Sequence, residues 1–182
     1  MAEAGAALTA NRLAALAQMA AHQGEGIPGF PAATLSLLPG EGFADDPDPA
    51  ALAQRLAEGR RRDMAAGRTL TGPHRADLGA VWGPQAMPAA LASTGEQKAM
   101  LLSLVIANAR ALGGEPVLLL LDEAAAHLDA GRRALLHETL LSLPAQSWLT
   151  GTGPELFASL AGRAMMIAVS RPGEASEARI EA

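Results

Sequence analysis

The chain has 182 residues and a formal net charge of −5 at neutral pH, a balance that argues against a dedicated nucleic-acid-binding module. There is no cysteine, which excludes disulfides, thiolate metal sites and cysteine nucleophiles. The first twenty residues lack the basic start and continuous apolar run of a secretory signal. No stretch approaches the roughly 18 uninterrupted apolar residues of a membrane span, so the expected setting is the cytoplasm, without a membrane partner.

Residues 6–22 are predicted as a helix, with Leu8, Leu13, Leu16 and Met19 on or near one face and Gly24 past its end. A Pro/Gly-rich passage from Gly24 to Pro49 follows, interrupted by a short strand over Thr34–Leu38. Asp45, Asp46 and Asp48 lack the rest of a calcium-loop pattern and are expected as turn and cap residues. Asp48-Pro49 starts a second helix, because Asp accepts from free N–H groups and proline at the first helical position sacrifices none. This helix carries Leu52, Leu56, Met64 and the run Arg60, Arg61, Arg62, and ends near Gly67.

Thr69–Trp82 is predicted as two short strands around Gly72-Pro73, and Thr94–Leu112 as a helix stopped by Gly113-Gly114. Val117–Leu121 is wholly apolar, the pattern of a strand covered on both faces. A helix over about 129–143, a strand over 148–150, a short helix over 154–160 and a strand over 164–169 complete the order. Alternation of strand and helix from Val117 onward predicts an α/β fold with these three strands in one parallel sheet. His22 and His137 are expected at the surface.

The apolar run 117–121 ends in Asp122-Glu123. In open α/β sheets ligands bind beyond the carboxyl ends of strands, and a magnesium nucleotide needs one carboxylate for the metal and another to deprotonate water. Ser93-Thr94-Gly95-Glu96-Gln97-Lys98 opens the preceding helix, where free N–H groups and the positive dipole end favour an anion. Taken alone it reads as an ordinary capping box, with Ser93 or Thr94 as the cap and Glu96 or Gln97 closing it. His127-Leu128-Asp129 follows the carboxylate pair at short range.

A Ser-x-Gly-x-Gln signature, a helix, a Walker B strand ending in Asp-Glu and then x-Leu-Asp is similar to the order in ABC-type ATPase heads. The spellings STGEQK (93–98), LLLLDEAAAHLD (118–129), LTGTG (149–153) and RRRDMAAGRTLTGPHRADL (60–78) resemble the RecF family. The resemblance runs from about Gly24 onward. It implies the carboxy-terminal half of a P-loop ABC-type ATPase head over 68–182, with the returning part of a helical lobe over 1–67. It further implies ATP and Mg²⁺ as cofactors, with Asp122 holding the metal through a water and Glu123 as general base. Ser93 and the Gly95 backbone, with Gln97 in the same signature, would contact the γ-phosphate of ATP bound to the opposite protomer. Asp129 would cross the dimer interface, and Thr150 and Thr152 stand at the switch position where many ABC proteins place a histidine. The implied partners are DNA, recombination mediator proteins and a second copy in an ATP-dependent homodimer, acting in recombinational repair of gaps. Arg60, Arg61 and Arg62 would contact DNA phosphates, or form a solvated helix face.

The Walker A pattern Gly-x-x-x-x-Gly-Lys-[Ser/Thr] is absent. Lys98 is the only lysine, preceded by Gln97 and followed by Ala99, so nothing supplies the lysine that cradles the β- and γ-phosphates. A conventional ATP site within one copy of the chain is therefore not expected. Two other possibilities stay open: an interaction protein without nucleotide chemistry, and a subunit whose site is completed by a separate P-loop chain.

Overall fold

A computed structural model describes residues 1–23, 27–40, 48–83, 86–126, 128–171 and 175–181. Expectations for Gly24, Asp45, Asp46 and His127 fall outside these residues. The chain opens with helix α1 (Ala2–Gln23), longer at its start than the apolar periodicity alone indicates. Strand β1 (Ala33–Leu38) and helix α2 (Pro49–Ala66) follow. Asp48 caps α2 by accepting from the N–H groups of Ala50 and Ala51, and Gly67 ends it in the left-handed region at φ 63°. α1 packs against α2, and Gly5 permits the approach: a Cβ there would stand 2.7 Å from the Leu52 side chain.

The segment expected as two strands around Gly72-Pro73 forms one. Pro73–Arg75 is a single 3-10 turn, and only Asp77–Trp82 (β2) is extended. Two features favour the turn over a hairpin. Gly72 adopts φ 141°, and the Leu70 N–H is drawn to the Asp63 carboxylate at the end of α2. β2 pairs antiparallel with β1 and with the two-residue β3 (Met87–Pro88). This sheet packs Leu35, Ala80 and Trp82 against Met100 of helix α3 (Thr94–Ala111).

The main core lies between α3, strand β4 (Val117–Leu121), helix α4 (Ala130–Ser142) and strand β5 (Ala145–Leu149). Leu102 and Ile106 from α3, Leu119 and Leu121 from β4, and Leu136 and Leu140 from α4 are buried together with Ile27 and Phe30. Each such side chain stabilises the fold by roughly 1.5–3 kcal/mol through the apolar surface it removes from water. β4 and β5 are parallel, with Leu119 opposite Ser147 and Leu121 opposite Leu149, as the β-α-β order requires.

Two expectations are corrected here. The apolar run of β4 is covered on one face only: Leu118 and Leu120 are 55% and 73% exposed, beside Trp148 at 49%. The strand over 166–170 (β6, Met166–Ser170) does not join β4 and β5. It pairs antiparallel with β7 (Glu177–Glu181), Ile167 opposite Ile180. A short local connection closes that pair at lower entropic cost than a crossover to the β4–β5 sheet. β1 and β2 meanwhile join residues on either side of 67–68 in one ladder. Among the described residues, no helix is long and apolar enough to cross a membrane.

Candidate functional site

Asp122 and Glu123 leave the carboxyl end of β4 at the point where the chain turns toward α4. Thr150, one residue past β5, is brought beside them by the parallel register, and its own N–H donates to the Leu121 carbonyl at 3.1 Å. Its hydroxyl donates to Asp122 Oδ1 and accepts from the Glu123 N–H at 3.0 Å. One threonine thus ties both acidic residues to the end of the neighbouring strand. Glu123 adopts φ 49°, a left-handed conformation that costs a non-glycine residue on the order of 1–3 kcal/mol and persists only where its surroundings fix it.

The other fixing contact comes from α3. Lys98 Nζ donates to the Glu123 carbonyl at 2.9 Å. The lysine noted in the sequence for its unsuitability as a P-loop lysine therefore has a partner at the strand end. No spacing rule pointed to this contact, and the only signal was that the chain's single lysine directly follows the Ser-x-Gly-x-Gln pattern.

Ser93 is the N-cap of α3 in a closed capping box. Its hydroxyl accepts from the Glu96 N–H at 3.3 Å and donates to the Glu96 carboxylate at 2.8 Å, while the Ser93 N–H donates to the same carboxylate at 2.9 Å. These bonds from the Ser93 hydroxyl and backbone hold the Glu96 carboxyl below its usual range. Gly95 leaves space open in front of the first turn, since no atom lies within 4 Å of where its Cβ would be. Gln97 points backward, its amide donating to the carbonyls of Ala90 and Ala92 at 3.1 Å each. In this arrangement Gln97 pins the segment that leads into α3.

Asp129 is the N-cap of α4, accepting from the Arg132 N–H at 2.9 Å, and that bond foremost lowers its pKa. Thr152 is exposed in the loop before the 3-10 segment Pro154–Leu160. The first turns of α3 and α4 face a shared cleft of about 310 Å³, lined by Glu96 and Arg132 with Phe30 and Trp82. Arg60, Arg61 and Arg62 stand exposed on α2, away from these elements in the chain. His74 and Arg75 line a separate groove of about 510 Å³ with Arg68 and Leu56.

His137, expected at the surface, is fully buried. Nδ1 lies 2.6 Å from the Ser159 hydroxyl and the ring stacks on Phe157, so α4 is clamped to the 3-10 segment that follows the Thr150–Gly153 loop. Desolvation, reinforced by Arg133 and opposed by Glu138, lowers its pKa.

The donor set suits a magnesium nucleotide in part. Magnesium retains several waters and needs only one or two carboxylates, which Asp122 and Glu123 can offer. The phosphate cradle has no counterpart in the sequence. Among the described residues, no group of three or more acidic or histidine side chains is gathered as a metal cage.

No family model matches the chain. The protein named DNA replication and repair protein RecF from Mesorhizobium japonicum is 56% identical over 117 residues, covering 63% of this chain and 31% of that protein. RecF from Caulobacter vibrioides is 45% identical over 186 residues, covering 95% of this chain and 48% of the relative. The chain is similar to the carboxy-terminal part of RecF. It spans less than half the length of these curated relatives. RecF from Rhizobium etli, 45% identical over 171 residues, gives the same picture. Two solved structures share the fold: one described as the recombination mediator protein RecF-ATPrS in the RecFOR pathway, with TM-score 0.59 and 20% identity over 85% of this chain, and one described as RecF-ATP, with TM-score 0.56. Each alignment covers 43% of the solved chain.

Proposed function

We propose that this chain supplies the signature and Walker B portion of a RecF-like ATPase used in recombinational DNA repair. In this reading residues 1–67 are the returning part of the helical lobe and 68–182 half of the ATPase head, joined through the β1–β2 ladder. The observation that carries it is the joint anchoring of Asp122 and Glu123 by Thr150, at the carboxyl end of the parallel strand pair. Asp122 would hold Mg²⁺ through water, and Glu123 would take the proton from attacking water. Ser93, Gly95 and Gln97 would form the signature face presented to ATP on the opposite protomer, Asp129 would cross the same interface, and Thr150 and Thr152 would stand at the switch position. Before the Ser93 hydroxyl can donate to a phosphate it must release the Glu96 carboxylate, so engagement of the signature would open the capping box.

The phosphate cradle would come from a P-loop segment, and the nucleotide then supplies the γ-phosphate whose presence assembles an ATP-dependent homodimer. That dimer would act on gapped or junction DNA and recruit recombination mediators. Arg60, Arg61 and Arg62 are exposed on one helix and would contact DNA phosphates. Replacing all three with Ala should then lower the logarithmic salt slope of DNA binding by about one unit per lost contact.

The test joins this chain to the P-loop part of a RecF relative and measures phosphate release and complex size together. Glu123→Gln should slow hydrolysis by roughly two to four orders of magnitude while ATP-bound dimers persist. Ser93→Arg should abolish dimerisation and leave nucleotide binding nearly intact. Hydrolysis at the parental rate in Glu123→Gln would remove Glu123 as the base.

A further inference from the structure

We infer that Lys98 is a positioning residue that couples the first turns of α3 to the backbone of Glu123. The inference rests on the proposed reading of Glu123 as the base and goes beyond it by assigning the device that sets its orientation. Three observations carry it. Glu123 holds φ 49°, which a side-chain-bearing residue adopts only under constraint. Its N–H is held by the Thr150 hydroxyl at 3.0 Å, so one side of the residue is fixed from the end of β5. Its carbonyl is held by Lys98 Nζ at 2.9 Å, so the other side is fixed from α3, and the Ala126 N–H shares that carbonyl at 3.3 Å.

Lys98 lies one turn beyond the Ser93 cap on the same helix. α3 is buried along Ala99, Leu102 and Ile106, whereas its first turn lies outside the core and is held by the Ser93–Glu96 box. A displacement of that turn, such as opening of the Ser93–Glu96 box by an anion, would carry the lysine with it. The lysine would then reset the peptide that sets the direction of the Glu123 side chain. The cation acts through a carbonyl and not through a carboxylate, so it orients Glu123 without pairing with it and leaves its oxygens available to water. Arginine at position 98 could preserve such a bond, whereas an apolar side chain of similar length could not.

The experiment reads the Glu123 amide directly, by hydrogen exchange in the 182-residue chain, with the amide of Leu136 in α4 as the reference. Lys98→Met should speed exchange at Glu123 by roughly tenfold or more, because releasing its carbonyl lets the residue leave the conformation in which the Thr150 hydroxyl holds its N–H, and leave Leu136 unchanged. Lys98→Arg should restore slow exchange. Where Lys98→Met fails to fold, Lys98→Gln is measured in the same way. In the chain joined to a P-loop part, Lys98→Met should lower kcat with the KM for ATP unchanged. An unaltered Glu123 amide overturns the inference, and so does acceleration of Glu123 and Leu136 together, since that marks a merely structural role. Parental turnover in Glu123→Gln would remove the base assignment instead, and the exchange result would stand apart from it.

Discussion

The two faces of the β4–β5 sheet are built from equally apolar residues and have opposite fates. Leu119 and Leu121 meet α3 and α4 and are 8% and 7% exposed, whereas their neighbours Leu118 and Leu120 are 55% and 73% exposed. The difference lies in what crosses above each face. The connection from β4 to β5 runs through α4, which covers the side it crosses, and α3 extends the same layer. Nothing among the described residues supplies a second layer over Leu118, Leu120 and Trp148. Apolar composition specifies a strand that can be sandwiched, and only a covering element makes the sandwich.

Substitution of one residue on each side of that divide gives the largest expected contrast. Leu136→Ala, beneath the covered face, should cost about 2–5 kcal/mol in urea unfolding, while Leu120→Ala should cost less than about 1 kcal/mol. Equal losses would break the comparison by showing that the open face is packed in solution.

Ser93→Ala should have a smaller effect, since it removes the cap of the helix that supports the covered face without opening a cavity. A loss of roughly 0.5–2 kcal/mol is expected, read as a lower midpoint in thermal unfolding. No loss at all would mean that the first turn of α3 is frayed and adds nothing to the layer.

The smallest effect sharpens the comparison at the far side of α4. The His137 pKa in the folded chain lies below its ordinary 6.5, first through burial, so below pH 6.5 the unfolded chain takes up a proton that the folded one refuses. Stability should therefore fall as pH drops below about 6.5 toward the folded value, with a slope of at most one proton, and be indifferent above that window. His137→Gln should flatten this slope in unfolding curves collected between neutral pH and pH 5. The lowered carboxyls of Glu96, Asp129 and Glu138 act in the same direction but in a lower window, which opens below 4.5 for the two glutamates and below 3.8 for the aspartate and extends down through their folded values. A slope persisting unchanged in His137→Gln would assign the effect to another group.

Local chemistry in the sequence was enough for the bounds of α2 and the start of α3, though not for the start of α1. Asp48-Pro49 and Gly67 bound α2, and Ser93 caps α3, because each acts on backbone groups a few residues away. The apolar run 117–121 likewise announced a strand, and its terminal Asp122-Glu123 pair placed the candidate site at a strand end. Pairing and coverage were decided in three dimensions. Alternation of apolar residues does not tell which strand β6 will pair with, and the ladder with β7 is seen only in the folded chain. The burial of His137 against Ser159 and Phe157 follows from the docking of a segment some twenty residues later. The bond from Lys98 to the Glu123 carbonyl spans 25 positions and uses a backbone atom that every residue possesses. A sequence marks which side chains carry charge. Which carbonyl a lysine finds is set by how the helix that bears it packs on the strand.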